Sequence, residues 1–282
     1  MSKLKITPSE FQIMSKYILD VSGISLAPGK EYLIETRLSQ IVDDLNVRSF
    51  QDLHSKARSD STGGLEKKII DAISTNETYF FRDNSPFDLI QHKLLPDMID
   101  RRMKNGSSGL KTPIKIWSSA SSTGQEIYSI AMILKDLGID PIRYNIKLLA
   151  TDISDAAIAQ ASYGKYNRFE VTRGLSTQRL DRYFNPDGDH WRIKDEIRAM
   201  VTFRKMNLMK PFVGMGKFDM ILCRNVAIYF TGEDRKRLFH KIAESLEPDG
   251  FLIIGSTESL TNDIVIFQPQ RYLNSTFYIL KK

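Results

Sequence analysis

A single cysteine, Cys223, leaves this chain of 282 residues unable to close an internal disulfide or to offer a cysteine cluster to zinc, and it suits a reducing cytoplasm. Histidine is as sparse. His54, His92, His190 and His240 stand far apart without ligand spacing, so no metal is expected. No apolar run reaches membrane-spanning length and no secretory signal pattern is present; membrane insertion is not expected, and the cytoplasm is the expected location. Charge is not concentrated either. The net charge is +6, yet residues 1–73 hold ten basic and ten acidic side chains, and the densest basic run beyond them is only Asp234-Arg-Lys-Arg237. Dispersed charge reads as solvated helix faces, so nucleic acid is not an expected partner. The phosphate-binding signatures G-x-G-x-x-G and Gly-Lys-Ser/Thr are missing, as is the G-x-S-x-G nucleophile elbow. Asp219 is not followed by the Pro-Pro-aromatic motif of amino-group methylases of nucleic acids.

What is present is ordinary globular composition, 41% hydrophobic and 26% charged, with two patterns in sequence. Over residues 1–75 apolar residues recur at helical spacing: Phe11, Met14, Ile18 and Val21, then Ile34, Leu38, Ile41 and Leu45, then Leu65, Ile69 and Ile73. This predicts an all-helical domain of about four helices. From residue 114 strands and helices alternate. Strands are expected at 114–120, 146–153, 200–208, 218–224, 250–256 and 276–280, with helices at 128–137 and 234–246. That alternation predicts an α/β fold, a mostly parallel sheet covered on both faces, over 76–282. Residues 104–113 read as an exposed loop. Residues 174–199 read as a small β insertion with a short helix, a turn at Asn185-Pro-Asp-Gly188 and a hairpin through Trp191 and Ile193.

Three segments carry candidate chemistry. Residues 116–131, Ile-Trp-Ser-Ser-Ala-Ser-Ser-Thr-Gly-Gln-Glu-Ile-Tyr-Ser-Ile-Ala, run from a strand through a loop of small residues into a helix. Such a loop lets backbone approach a ligand closely. Without a phosphate cradle, and with Glu126 following, it suits a hydroxylated, cationic ligand such as S-adenosylmethionine. Asp152 ends the second strand, 28 residues after Gly124, where an acidic residue bonds ribose hydroxyls. It could instead cap the next helix, although Ser154 or Asp155 can do that. Ser74-Thr-Asn-Glu-Thr-Tyr-Phe-Phe-Arg-Asp83 reads either as a capping box from Ser74 and Glu77, or as Asn76, Thr78 and Arg82 set among aromatic pocket walls. Cys223-Arg-Asn-Val-Ala-Ile-Tyr-Phe230 follows the fourth strand and puts Arg224, Asn225 and Tyr229 near the crevice mouth, with core packing the other role open to Tyr229. Cys223 itself reads as a small buried residue.

Together these segments resemble the bacterial chemotaxis receptor methyltransferases, the CheR family, and the similarity extends through Asp249-Gly-Phe-Leu and Ser256-Thr-Glu-Ser259. The resemblance implies a Rossmann-like class I S-adenosylmethionine-dependent methyltransferase domain behind the helical one. It implies transfer of methyl groups to glutamate side chains of the cytoplasmic domains of chemoreceptors. It also implies cofactor contacts at Asn76, Thr78, Arg82, Ala120, Glu126, Asp152, Asn207, Leu208, Arg224 and Asn225, with Arg82 and Tyr229 nearest the transferred methyl. A glutamate is already ionised at neutral pH, so such a reaction needs alignment and dehydration rather than a general base. Three departures stand out. The family's Gly-Glu-Glu-Pro-Tyr is here Gly124-Gln-Glu-Ile-Tyr128. The second helix carries Lys30 and Arg37 against Glu31, Glu35, Asp43 and Asp44, where well-known members are strongly basic. Asn185-Pro-Asp-Gly-Asp189 is short for a tether-binding loop, so binding of a receptor's C-terminal pentapeptide is not expected. A non-catalytic cofactor- or nucleotide-binding module, or a methyltransferase for nucleic acid or a small molecule, are the alternatives; a monomer is the expected state.

Overall fold

Thr7 starts the first helix with a capping box: its hydroxyl accepts from the Glu10 amide, and the Glu10 carboxylate accepts from the Thr7 amide at 2.8 Å. The computed structural model describes residues 4–105, 111–139, 143–260 and 264–281. Helices α1 (Pro8–Ser22), α2 (Glu31–Arg37), α3 (Ser39–Asp44), α4 (Phe50–Ser59) and α5 (Gly64–Ile73) bury Met14, Ile18, Ile34, Leu38, Leu53 and Ile69 against one another. There are five helices here rather than four. The apolar stripe from Ile34 to Leu45 spans α2 and α3, which part at Leu38, where ψ opens to 0° while the Leu38 amide still bonds Ile34. The fifth, α4, buries only Phe50, Leu53 and Ala57, too thin a stripe to stand out as a period.

Helices α6 (Ser85–Leu89) and α7 (Leu95–Asn105), joined by a π turn at Ile90–Leu94, then lead to the sheet. The sequence reading has no counterpart for this stretch. Its apolar Phe87, Leu89, Ile90, Leu94 and Met98 pack under the sheet. Residues 106–110 of the loop expected at 104–113 lie outside the described residues, while its ends belong to α7 and to β1 (Thr112–Ser119). Next come α8 (Gln125–Asp136), β2 (Tyr144–Asp152), α9 (Asp155–Tyr163), β3 (Lys165–Asn167), α10 (Arg168–Thr172), α11 (Thr177–Tyr183), β4 (Phe184–Asp187), β5 (His190–Ile193), α12 (Asp195–Arg198), β6 (Val201–Lys205) and β7 (Phe218–Cys223). A 3-10 turn at Ala227–Tyr229 precedes α13 (Gly232–Glu244), β8 (Leu246–Ile254), β9 (Phe267–Tyr272) and β10 (Ser275–Leu280).

The large sheet runs β6-β2-β1-β7-β8-β10-β9. Strands β6, β2, β1, β7 and β8 are parallel, and β10 is antiparallel to both neighbours. The chain winds outward from β1 to β2 and β6, then returns to the other side of β1 with β7. A crevice therefore opens beyond the carboxyl ends of β1 and β7, the place where doubly wound sheets bind ligands. Strand β9 escaped the sequence reading because Pro269 interrupts it; as an edge strand paired only with β10 it tolerates a residue without an N–H.

The small antiparallel sheet has the order β3-β5-β4. It takes in Lys165–Asn167, ahead of the insertion expected from Gly174, because Tyr166 pairs with Trp191 across the strands. Gly174 seats this unit. At φ +93° it lies so close to the 74–83 segment that a Cβ would meet the Phe80 carbonyl oxygen at 1.8 Å.

Candidate cofactor and methyl-transfer site

Strand register sets the floor of the site. Ser119 lies level with Thr151 on β2 and Cys223 on β7, and Asp152 lies level with Lys205 on β6, so all four strands release their chains at one height. Beyond β1 the backbone folds tightly: Ala120 and Ser122 take left-handed φ of 53° and 50°, and Gly124 follows at 92°. A side chain at Gly124 would press on Ala161 at 3.0 Å and on the Phe203 ring at 3.3 Å, so the loop closes only around glycine. The Ser122 amide donates to Asp152 Oδ2 at 2.8 Å, and the Ser154 amide donates to Oδ1 at 2.9 Å. Helix α9 is capped by Ser154, whose hydroxyl accepts from Ala157 and donates to Asp71 of α5. Capping thus falls to Ser154, and Asp152, 6% exposed, borders the crevice. Burial pushes the Asp152 carboxyl above the usual aspartate value, against the amide hydrogen bonds from Ser154 and Ser122 that favour the ion.

Beyond β7, Arg224 is 5% exposed and forks between two carboxylates. Its Nη1 donates to Glu126 Oε2 at 2.8 Å; its Nη2 donates to Asp83 Oδ2 at 2.9 Å and to the Arg82 carbonyl at 3.0 Å. Glu126 is completed by the Ser118 hydroxyl at 2.8 Å. Asn225 follows with a left-handed φ of 55°, its amide held by Glu258 Oε2, which also takes the Gly255 amide.

The 74–83 segment does not begin a helix. Ser74 ends α5, and its hydroxyl turns back to the Ile70 carbonyl at 2.7 Å, so the capping box with Glu77 does not form. Nor do its aromatic residues wall a pocket. Phe80 packs edge-on to Tyr166 and Phe184, Phe81 packs on Phe87, and Tyr79 stacks under Arg173 at 4.1 Å. From this segment the polar Ser74, Thr75, Asn76, Glu77, Thr78 and Arg82 border the cavity, and its aromatic members are Tyr229 and Phe230. Arg82 Nη1 donates to the Glu77 carbonyl at 2.8 Å. Phe81, Asp83 and Asn84 all have positive φ, a concentration of strain beside the site.

The cavity so formed encloses about 850 Å3, its open mouth included. Asn76, Thr78, Arg82, Ala120, Glu126, Asp152, Leu208, Arg224, Asn225 and Tyr229 all line it. Asn207 does not. Its side chain is spent on the turn, donating to the Val21 carbonyl at 3.0 Å and accepting from the Met209 amide at 2.8 Å. Other lining residues lay outside the sequence reading. Ser22 and Ile24, at the end of α1, bring the helical unit to the rim, and Ser121 and Met206 join the floor and wall. Asp83 was also missed; long-range bonds from Arg224 and from the Ser256 hydroxyl mark it.

The departures at the β1–α8 loop face inward. Gln125 is buried with Oε1 on the Thr123 hydroxyl at 2.8 Å, and Ile127 belongs to the core under the sheet; neither lines the cavity. Burial pushes the Cys223 thiol up to about 12, which leaves it no nucleophilic role. Asp219 sits at the opposite end of β7, clamped by Arg102 at 2.5 Å and by the Lys115 amide at 2.8 Å. Among the described residues no group of three or more His, Cys, Asp or Glu side chains could hold a metal ion, and no helix is long and apolar enough to cross a membrane.

Two family models match the chain: the all-alpha domain of CheR methyltransferase over residues 9–74, and the SAM binding domain of CheR methyltransferase over residues 76–272. Among curated relatives, the chemotaxis protein methyltransferase of Vibrio parahaemolyticus is 37% identical over 287 residues and 100% of both chains. Chemotaxis protein methyltransferase 1 of Pseudomonas aeruginosa is 35% identical over 258 residues, 90% of this chain and 91% of its own. The chemotaxis protein methyltransferase of Borreliella burgdorferi is 35% identical over 261 residues, 91% and 90% of the two chains. Among solved structures, the glycopeptide N-methyltransferase MtfA with S-adenosyl-L-methionine aligns at 15% identity and a TM-score of 0.32 over 64% of each chain, too distant a likeness to bear weight.

Proposed function

The chain belongs to the CheR family of S-adenosylmethionine-dependent methyltransferases, and from that premise we propose that it methylates glutamate side chains on the cytoplasmic domains of chemoreceptors. The cavity at the switch point carries this reading, because its lining suits a cationic nucleoside and contains no cysteine, histidine or lysine. Asp152 stands where the ribose hydroxyls would donate. Glu126 supplies negative charge toward a sulfonium and an ammonium group. Two buried polar atoms of the lining, Arg224 Nε and Ser121 Oγ, have no protein partner, and polar atoms of a bound cofactor would complete them.

S-adenosylmethionine, when bound, supplies an electrophilic methyl on a good leaving group. The remaining work belongs to the chain. A receptor glutamate arrives ionised and attacks through a carboxylate oxygen, so no proton need be moved. Arg82 and Tyr229 at the rim orient that carboxylate and exclude water from it. The product is a neutral ester and S-adenosylhomocysteine, and each turnover removes one negative charge from the receptor. The test is transfer of radiolabelled methyl from S-adenosylmethionine to membranes bearing candidate receptors. Label on a receptor band that is lost in mild alkali supports a carboxyl ester; alkali-stable label on any substrate refutes it.

The small β subdomain gives a second expectation. Strands β4 and β5 are joined by the tight turn Gly188-Asp189, which leaves no glycine-rich loop to receive a peptide strand. A free receptor-tail pentapeptide should therefore show no saturable heat of binding, and a measurable Kd would overturn this.

Cofactor affinity should depend on the ionisation of Asp152. Ribose hydroxyls donate to the carboxylate, whereas a protonated acid loses acceptor capacity. The folded pKa lies above the ordinary value, so the carboxylate's burial costs stability as pH rises through it, while binding gains over the same interval. Affinity for S-adenosylhomocysteine is expected to fall up to about tenfold per pH unit below that raised pKa. Calorimetry in steps from about pH 8 down toward the ordinary aspartate value of about 3.9 checks this, and Asp152→Asn should bind weakly with a flat profile.

A further inference from the structure

One side chain of the helical unit makes three hydrogen bonds to the cavity wall. Arg37, the last residue of α2, donates from Nη1 to the Ile73 carbonyl at 2.5 Å and to the Ser74 carbonyl at 3.1 Å, and from Nη2 to the Thr75 hydroxyl at 3.0 Å. Ile73 closes α5, so these are carbonyls that a helix end leaves without intrahelical partners, and a guanidinium is well matched to them. Ser74 and Thr75 line the cavity and continue directly into Asn76 and Thr78, which also line it. The stem of α2 is fixed in turn, since Ile34 and Leu38 are fully buried in the helical core. A rigid helix thus carries a planar fork whose three contacts all fall on the wall segment.

We propose that Arg37 is a positioning residue for the cofactor cavity: it holds the 73–75 backbone so that Asn76 and Thr78 face the ligand, and it thereby sets cofactor affinity from the second helix. This rests on the reading of the cavity as the S-adenosylmethionine pocket. It assigns the guanidinium an internal task, with its donors directed at neutral oxygens of the same chain. A receptor carboxylate that recruited Arg37 would have to displace them. The charge of this helix and the shape of the pocket are then linked through one residue.

The experiment is calorimetric titration of S-adenosylhomocysteine into the full chain with no receptor present. Arg37→Met keeps the aliphatic stem and removes the fork. Affinity should fall about tenfold, and the KM for S-adenosylmethionine should rise by a similar factor while kcat at saturation changes less than about threefold. Arg37→Lys should recover part of the loss, because one ammonium reaches only some of the three oxygens. Thr75→Val should cost about two- to threefold, and it decides the matter if Arg37→Met does not fold. Leu53→Ala, a core change remote from the wall, controls for general destabilisation and should leave affinity unchanged while lowering the melting temperature. Folded Arg37→Met, or Thr75→Val in its place, binding as tightly as the wild type overturns the proposal, whatever happens to receptor methylation. Asp152→Asn separates the two levels of inference. If Asp152→Asn weakens binding and Arg37→Met does not, only the role of Arg37 fails; if neither does, the reading of the pocket fails as well.

Discussion

Replacing Arg224 by methionine is expected to lower the free energy of unfolding by about 3–5 kcal/mol and to abolish methyl transfer. Arg224 is the common partner of Glu126 and Asp83, and Glu126 is only 9% exposed. Methionine fills much of the volume over the Phe87 ring but supplies no charge, leaving Glu126 with the Ser118 hydroxyl as its one side-chain donor. Breaking a buried pair from one side is costly because the other charge stays behind. A second loss is local. Phe81, Asp83 and Asn84 hold left-handed backbone at a cost on the order of 1–3 kcal/mol each. Arg224 holds this segment at the Arg82 carbonyl and the Asp83 carboxylate, while Ser129 takes the Phe81 amide at 3.0 Å. Without the fork the segment relaxes and carries Arg82 away from the rim. Urea unfolding followed by circular dichroism measures the first effect. Adding Glu126→Gln should restore part of the stability by removing the stranded charge, yet leave activity absent. An Arg224→Met protein with unchanged unfolding midpoint would show that the network contributes little.

Which residues border the crevice was legible in the sequence, and sheet geometry explains why. Residues such as Ala120, Asp152 and Arg224 sit at or just beyond strand ends, and parallel strands in register bring their carboxyl ends to one crevice whatever the loops between them do. Locating the strands therefore located the residues. Side-chain direction was not legible in the same way. The run Tyr79-Phe80-Phe81 looked like a pocket wall, but left-handed Phe81 and the tight seat of Gly174 turn Phe80 and Phe81 into the core. Asn207 sits beside a lining residue, yet its amide serves the turn and Val21. Elements that lack a period were missed for the same physical reason: Lys165–Asn167 is too short to alternate, and Pro269 interrupts the pattern of Phe267–Tyr272. The bonds from α2 and α5 to the pocket, Arg37 to 73–75 and Asp71 to Ser154, join residues far apart in sequence and leave no local signature.

Arg82→Ala should divide the two halves of the reaction: kcat falls by about a hundredfold or more, while S-adenosylhomocysteine binds within about fivefold of wild type. The cofactor keeps Asp152, Glu126, Asn76 and Thr78 in the cavity lining, so little of its binding surface depends on Arg82. The incoming carboxylate has far less. Arg82 is the cation at the rim, half-buried, with one guanidinium donor fixed on the Glu77 carbonyl and its face toward Tyr79 at 5.7 Å. Four of its five N–H donors lie outside that bond, enough to aim a glutamate without a rigid bidentate clamp that would quench the nucleophile. Tyr229→Phe removes only a hydroxyl from the cavity lining and should cost about tenfold in kcat. The pH dependence adds a further check. If the nucleophile is an ionised glutamate and no base is used, kcat should stay level from about pH 6 to about pH 8, well above the ordinary carboxylate pKa of about 4.3. A kcat that climbs with pH in that range would mean a proton is being removed, and the direct-displacement account would fail even if Arg82 proved essential.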